Sequence, residues 1–243
     1  MNASVIRIAI VSALLAFVAG MVFATFSELR VFLPALLNGA VVTLQVSALS
    51  IVVFVAVSIL AGIGRSSGFL PVRWFCAVYV EVFRGTSLLV QLFWLFFVLP
   101  EFGIVLSPLS AGVLAIGLNY GAYGAEIVRG ALRSVPKGQI EAGIALNMPK
   151  AKRMVRIILP QAVLIMLPGM GNQTIELIKS TALVSAVTLV DITYASVLQN
   201  NIHYRTIEIF SITMLLYYIL SQLVRFGVAA LEAKASRYRA LEI

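Results

Sequence analysis

The sequence predicts an all-α integral membrane protein with about six spanning helices. Two observations carry this. Of 243 residues, 61% are hydrophobic and 12% charged, with mean hydropathy +1.02; soluble domains hold about 45–50% apolar and about 25% charged residues. The apolar residues also fall in uncharged runs of about twenty, the length that crosses a bilayer as a helix. Helix is the conformation that satisfies the backbone of such a run without water.

The runs follow in order. Ile8–Ser27 is uncharged, with Arg7 before it and Glu28 behind. Its length favours a retained helix over a cleaved signal peptide, which stays the rival reading. Leu33 and Pro34 begin a short approach on the outer side to the second run, Asn38–Gly64. Val52, Val53, Val55 and Val57 would favour strand in water, but the length of the run decides for helix in lipid. Phe69–Pro100 carries Arg73, Glu81 and Arg84, and is charge-free and aromatic after Gly85. It reads as a short helix on the cytoplasmic side leading into a span near Gly85, with Glu81 and Arg84 paired three apart on one face. Leu106–Ala125 is the fourth span. Ile157 to about Ala186 is the fifth, interrupted by Pro160, Pro168, Gly169 and Gly171, and Ile209–Val224 is the sixth.

Lys and Arg concentrate on one side of this arrangement: Arg7, Arg65, Arg73, the cluster from Arg129 to Arg156, and Arg225 to Arg239. That side is cytoplasmic by the positive-inside rule, which places both termini there. The same rule accounts for the net charge of +8 without a nucleic-acid partner. Cys76 is the single cysteine and His203 the single histidine, so neither an internal disulfide nor a metal site is expected. No soluble domain fits between the spans, so any ATP hydrolysis needs another chain.

The longest stretch without a membrane-like core is Glu141–Ala162, with Lys150, Lys152, Arg153 and Arg156 close together. Pro136 suits the first turn of a helix. Lys137–Leu146 then forms a short helix with Ile140 and Ile144 on one face. Asn147 accepts the left-handed backbone that ends a helix, and Pro149 restarts the next. The product is helix, sharp turn, helix. A helix this short does not persist alone in water. It rests on the membrane domain and anionic lipid beneath, or docks to a protein above.

Glu141-Ala142-Gly143, Asn147, Ile157, Leu159 and Pro160 have the spacing of the EAA loop and resemble that loop of bacterial ABC importer permeases. Gly143 stands where the family has a second Ala, and Asn147 where it has Gly. Glycine at 143 should weaken the short helix by about 1 kcal/mol relative to alanine. Tyr79–Gln91 resembles the Y-x-E-x-F-R-G-T-P-L-L-V-Q segment of polar amino-acid importer permeases, with Ser87 in place of Pro. Ala122–Gly130, Ser134–Gln139, Leu167–Gln173 and Lys179–Ser185 match the same subfamily. The resemblance covers roughly 33–239. It implies a permease core over 31–232 with a coupling loop at 136–160, an N-terminal helix over 1–30 outside the common core, and a short charged tail over 233–243. It implies that Glu141, Ala142, Gly143, Asn147 and Lys150 couple to an ATPase dimer that binds Mg-ATP. This chain itself would bind no cofactor and perform no bond chemistry. A second permease subunit, identical or paralogous, and an extracytoplasmic substrate-binding protein complete the expected assembly in the inner membrane. The implied cargo is a polar amino acid or similar small zwitterion.

Ionisable side chains at bilayer depth are costly and mark a pathway or a buried partner. Asn172, Glu176 and Lys179 share a helical face with Gln173 beside it, and Asn119, Tyr123 and Glu126 repeat the spacing. We expect Asn172, Gln173, Glu176, Asn119 and Tyr123 to line a translocation path. Glu176 has a second reading as the partner of Lys179, three residues on. Pro168, Gly169 and Gly171 are expected to break the helix before Asn172. Asp191 and His203 read as solvated loop residues outside the membrane.

Overall fold

The structure, a computed structural model, describes residues 26–240. The expected first span, Ile8–Ser27, lies outside these residues except for its last two positions, and so does the end of the tail, 241–243. In chain order the elements are α1 (Phe26–Gly64), α2 (Leu70–Gly85), α3 (Leu88–Phe93), α4 (Pro108–Arg133), α5 (Lys137–Ala145), α6 (Lys150–Arg153), α7 (Leu159–Ser180), α8 (Ile192–His203) and α9 (Thr206–Ala240). Among the described residues there is no strand.

The centre of the fold is α4, packed along α1. Its small residues set the approach. Methyl groups added at Gly117 and Gly121 would meet Val53 at 2.6 Å and Val57 at 2.8 Å, and one at Gly124 would run into Ser58 and Phe54. At the far end Gly112 lies against Val184. Small residues at such spacing let helix backbones come close where lipid supplies no hydrophobic drive. Phe54, Ile116, Ile178 and Val184 fill the interior around this seam. Ser58 donates to the Phe54 carbonyl at 2.6 Å, so its hydroxyl is satisfied within the helix.

Pro34 does not begin a separate approach. It lies inside α1, which is continuous over 39 residues. Phe32 and Leu36 flank it and are buried against Ile209 and Ile212 of α9. Tertiary packing therefore carries the helix across a proline that would otherwise disfavour it.

The chain breaks between α2 and α3. The two helices meet at a bend of 108° at Gly85–Ser87. The break sits at the level of Asn119, midway along α4, because Asn119 Nδ2 donates to the Phe83 carbonyl at 2.9 Å and to Gln91 Oε1 at 3.1 Å. Gln91 Nε2 also donates to Phe83 O at 3.0 Å and to Thr86 Oγ1 at 2.6 Å. A helix break in a membrane protein needs such partners for its freed carbonyl groups. The aromatic run after α3 continues as a π turn, Trp94–Val98, and a 3-10 turn, Leu99–Phe102, that closes on Gly103 at φ 81°.

The expected break at Pro168, Gly169 and Gly171 is absent, and α7 runs through them. Both glycines serve contact instead: Gly169 lies against Ile127 of α4, and Gly171 against Val228 of α9. The helix changes at its two ends. Before Pro160 the chain makes a π turn over Met154–Ile158, the kind of adjustment a missing proline N–H invites. After Ser180 it tightens into a 3-10 segment, Thr181–Val187.

Asp191 is not a solvated loop residue. It is fully buried and caps α8, accepting from the Tyr194 N–H at 2.9 Å and from the Tyr217 hydroxyl at 2.9 Å. Its neighbour Ile192 N–H points to Thr43 Oγ1 at 3.3 Å, where Gly39 lets α1 come close. The His203 ring sits beside Phe32, with centroids 6.3 Å apart.

Three described segments are long and apolar enough to cross a membrane: Val31–Gly64, Lys150–Val187 and Thr206–Lys234. The bent pair Leu70–Gly85 and Leu88–Phe102 is a fourth if counted as one span. At 26 residues α4 is long enough, but glycine, asparagine and tyrosine dilute its hydropathy. A helix enclosed by protein does not need a lipid-like surface.

Candidate functional site

Two regions carry the residues singled out in the sequence. The first is the basic turn. Pro136 stands at the N-cap of α5, and Asn147 takes the left-handed conformation at φ 55°. The Met148 N–H reaches the Gly143 carbonyl at 3.0 Å and the Asn147 N–H reaches the Ile144 carbonyl at 2.8 Å. This pair of bonds is a Schellman motif, which satisfies helix-end carbonyls through a left-handed residue. Pro149 then caps α6, and α6, the π turn and α7 form one rod leading back into the protein.

Gly143 is the buried residue of α5. A methyl group there would meet Arg153 Cδ at 2.9 Å and Ile157 Cδ1 at 3.1 Å. Its departure from alanine is therefore matched by a close approach of α5 to the rod. Glu141, Ala142, Ala145, Leu146 and Lys150 are exposed, Leu146 at 76% and Ile144 at 57%. Gln161 also donates a hydrogen bond to Gln139, tying the start of α5 to α7.

Behind the turn lies an ion-pair knot that joins three helix ends. Glu126 on α4 accepts from Arg65 at the end of α1 and from Arg129 at 2.5 Å. Glu81 of α2 lies 3.8 Å from Arg65. Glu81 is thus the partner of Arg65 and not of Arg84, although Glu81 and Arg84 both lie on α2. Arg65, Glu126 and Arg129 are between 14% and 25% exposed at the side chain. Burial, and then the nearby Arg129, pulls the Arg65 pKa below its ordinary value, yet a guanidinium stays charged at any physiological pH.

The second region is a polar band that joins the middle of α4 to the C-terminal half of α7. Tyr120 and Ser180 hydroxyls lie 2.6 Å apart and tie the two helices. The Tyr120 and Tyr123 rings are 6.4 Å apart, and the Arg84 guanidinium lies 5.3 Å from the centroid of Tyr123. Asn172, Glu176 and Lys179 of α7 face Arg225 and Glu232 of α9 across an open groove of about 280 Å³. Lys179 Nζ donates to Glu176 Oε1 at 2.8 Å, with both side chains about half exposed. Gln173 is half-buried beside Asn172.

The structure therefore brings Tyr123 into a band with Arg84, and Asn172 and Glu176 into the groove. Asn119 is set apart: it is buried, and its amide braces the α2–α3 break. Two residues of this region were missed. Gln91 could have been found from the small, polar Gly85-Thr86-Ser87 cluster, a turn signal inside an uncharged run. The approach of Arg84 to Tyr123 depends on tertiary contact and leaves no local signal. Among the described residues, no cluster of His, Cys, Asp and Glu is arranged to hold a metal ion.

Comparison with known proteins places this geometry. Residues 55–237 match the family described as binding-protein-dependent transport system inner membrane component. A probable amino-acid ABC transporter permease protein of Sinorhizobium fredii is 42% identical over 214 residues, covering 86% of this chain and 90% of its own. The glutamine transport system permease protein of Escherichia coli is 35% identical over 206 residues, covering 83% and 93%. Among solved structures, an amino acid ABC transporter crystallised with histidines matches with TM-score 0.80 and 31% identity, over 86% of this chain and 97% of that one. The inward-facing methionine ABC transporter MetNI has the same fold at TM-score 0.66 and 18% identity, over 86% and 98%. With the EAA-type turn, the helical spans and this match over most of its length, the chain belongs to the family of inner-membrane components of binding-protein-dependent transport systems.

Proposed function

We propose that this chain is the permease subunit of an ATP-binding-cassette importer that moves a polar amino acid or similar small zwitterion into the cytoplasm. One observation carries the transport reading. Asn172, Glu176, Lys179 and Arg225 are exposed on spanning helices, where contact with lipid would be costly. Such a face belongs against a water-filled path or a second permease chain. In this reading Asn172, Gln173, Glu176 and Tyr123 border the path, and Asn119 acts behind them by holding the bend open. The names of the amino-acid permeases above support the cargo class.

The same reading places both termini and the basic turn in the cytoplasm, since the Lys- and Arg-rich end faces inward. Glu141, Ala142, Gly143, Asn147 and Lys150 form the element that meets a partner ATPase dimer carrying Mg-ATP. A second permease chain and an extracytoplasmic substrate-binding protein complete the machine. ATPase closure moves α5, and the rod through α6 and α7 carries that movement to the groove.

Reconstituting the chain with its partners in proteoliposomes tests this against ion-driven transport. Import of L-glutamine, L-arginine or L-cystine that requires ATP inside the sealed vesicle is expected. Import that follows an ion gradient and ignores ATP would reject it.

A further inference from the structure

Among the described residues, the non-glycine residues with positive φ are Asn147, Thr188 and Tyr204. Asn147 makes the basic turn. The others flank α8: Thr188, at φ 64°, shortly precedes its Asp191 cap, and Tyr204, at φ 54°, directly follows its last residue. The left-handed conformation is strained for a β-branched or bulky side chain. Such strain persists where the surroundings impose it, and it collects at segments that switch.

The surroundings here are the seat of α8, at the end of the molecule away from the basic turn. Its neighbours on α1, Gly39 and Thr43, are about 30 Å or more of helix from Gly64, where α1 ends. The apolar part of the seat is small: Ile192 and Ala195 are the buried apolar residues of α8. The rest is polar. The Ser196 and Thr213 hydroxyls lie 2.5 Å apart, and those of Thr193 and Tyr217 lie 2.9 Å apart. Asp191 Oδ1 takes the Tyr194 N–H and Oδ2 takes the Tyr217 hydroxyl. Among the described residues no cation lies in ion-pair range of this buried carboxylate.

A seat of this kind suits a part that lifts. Buried polar groups must all be matched while the seat is closed, which fixes one position. When it opens, water replaces each donor, so little is lost per hydrogen bond. A broad apolar seat would lose its burial instead. The 3-10 segment Thr181–Val187 leads from Ser180, at the edge of the polar band, to Thr188 and α8. A shift of α8 therefore reaches the band through a short, tightly wound link.

We propose that Asp191 is a positioning residue for transport: with Tyr217 it seats α8 as a lid across the outer end of the path, and the lid lifts from α9 when the path opens outward. Thr188 and Tyr204 are the hinge positions at its two ends. This rests on the reading of the polar band as a translocation path.

The test uses a Cys76→Ser background. Ser196→Cys with Thr213→Cys places two thiols where two hydroxyls touch, within reach of a disulfide. The complex is reconstituted in proteoliposomes with its ATPase and binding protein. Oxidation should lower ATP-driven uptake of the radiolabelled amino acid by about 10-fold or more, and dithiothreitol should restore it. The same molecules are measured in both states, so loss of fold does not mimic the result. A crosslinked complex that keeps the reduced rate of uptake overturns the lid and leaves the path reading standing.

Ser196→Cys alone gives a second readout, in lipid nanodiscs. Residue 196 is buried in the seat, so a hydrophilic maleimide should label it about 5-fold or more faster during turnover than at rest. Asp191→Ala should raise the resting rate by a similar factor. Asp191→Asn keeps an oxygen for the Tyr194 N–H and should raise it less. Equal labelling at rest and during turnover overturns the lid, and a resting rate indifferent to Asp191→Ala overturns the role of Asp191. Glu176→Gln with wild-type uptake in the same vesicles would overturn the path reading, and with it the assignment of α8 to a path.

Discussion

Glu126→Ala should destabilise the protein by about 3 kcal/mol, the low end for breaking a buried ion pair from one side. The carboxylate serves two arginines, one on each oxygen. Removing it leaves Arg65 and Arg129 as neighbouring cations with little access to water and like-charge repulsion between them. The low end applies because all three side chains keep some exposure. The knot joins α1, α2 and α4 at the end from which the basic turn emerges, so its loss should also loosen the support of the turn. Thermal unfolding of the purified protein in detergent is expected to fall by roughly 5 °C or more, since 1 kcal/mol moves the midpoint of a chain this size by about 2–4 °C. Replacing Arg65, Glu126 and Arg129 together by apolar residues of similar size should restore most of the loss, because no charge is then left unpaired. An unchanged midpoint for Glu126→Ala would mean that the knot contributes nothing to stability.

Glu141→Arg should reduce uptake at least 10-fold while the assembled complex continues to hydrolyse ATP. Glu141 and Ala145 are one turn apart on the outer face of α5, and Gly143 holds the inner face against Arg153 and Ile157. The turn already carries Lys137, Lys150 and Lys152. The partner surface must therefore accept one carboxylate among many cations. Reversing that charge places like charges together, which costs several kcal/mol at a docked interface. The fold of the turn itself should survive, because the Schellman bonds involve Gly143, Ile144, Asn147 and Met148 and not residue 141. Wild-type uptake by this variant, measured beside its ATP hydrolysis, would remove Glu141 from the docking surface.

What the sequence made legible follows the range of the interactions. The basic turn was readable because its signals are local. Asn147 supplies the left-handed position, Pro149 restarts the chain, and both act within a few residues. The spanning runs were readable from length and absence of charge alone. The partner of Glu81 was not, since it depends on how the end of α1 meets α2. Pro168, Gly169 and Gly171 were misread as a break. The same residues that loosen a helix in isolation also allow close packing, and Ile127 and Val228 decide the matter. Asp191 carried a usable signal, an acid ahead of a helical run, but its burial comes from Gly39 and Tyr217, which are distant in sequence. The glycines of α4 at 117, 121 and 124 form a small-residue stripe that could have identified that helix as the hub.

The central claim is that the exposed end of α5 touches an ATPase. The single cysteine makes a direct measurement possible. In a Cys76→Ser background, Ala145→Cys on the exposed face of α5 is labelled with a benzophenone maleimide and irradiated in the assembled, import-competent complex. The account predicts a covalent adduct between this chain and the ATPase subunit. Irradiation that yields no ATPase adduct, in a complex that still imports its amino acid, would contradict it.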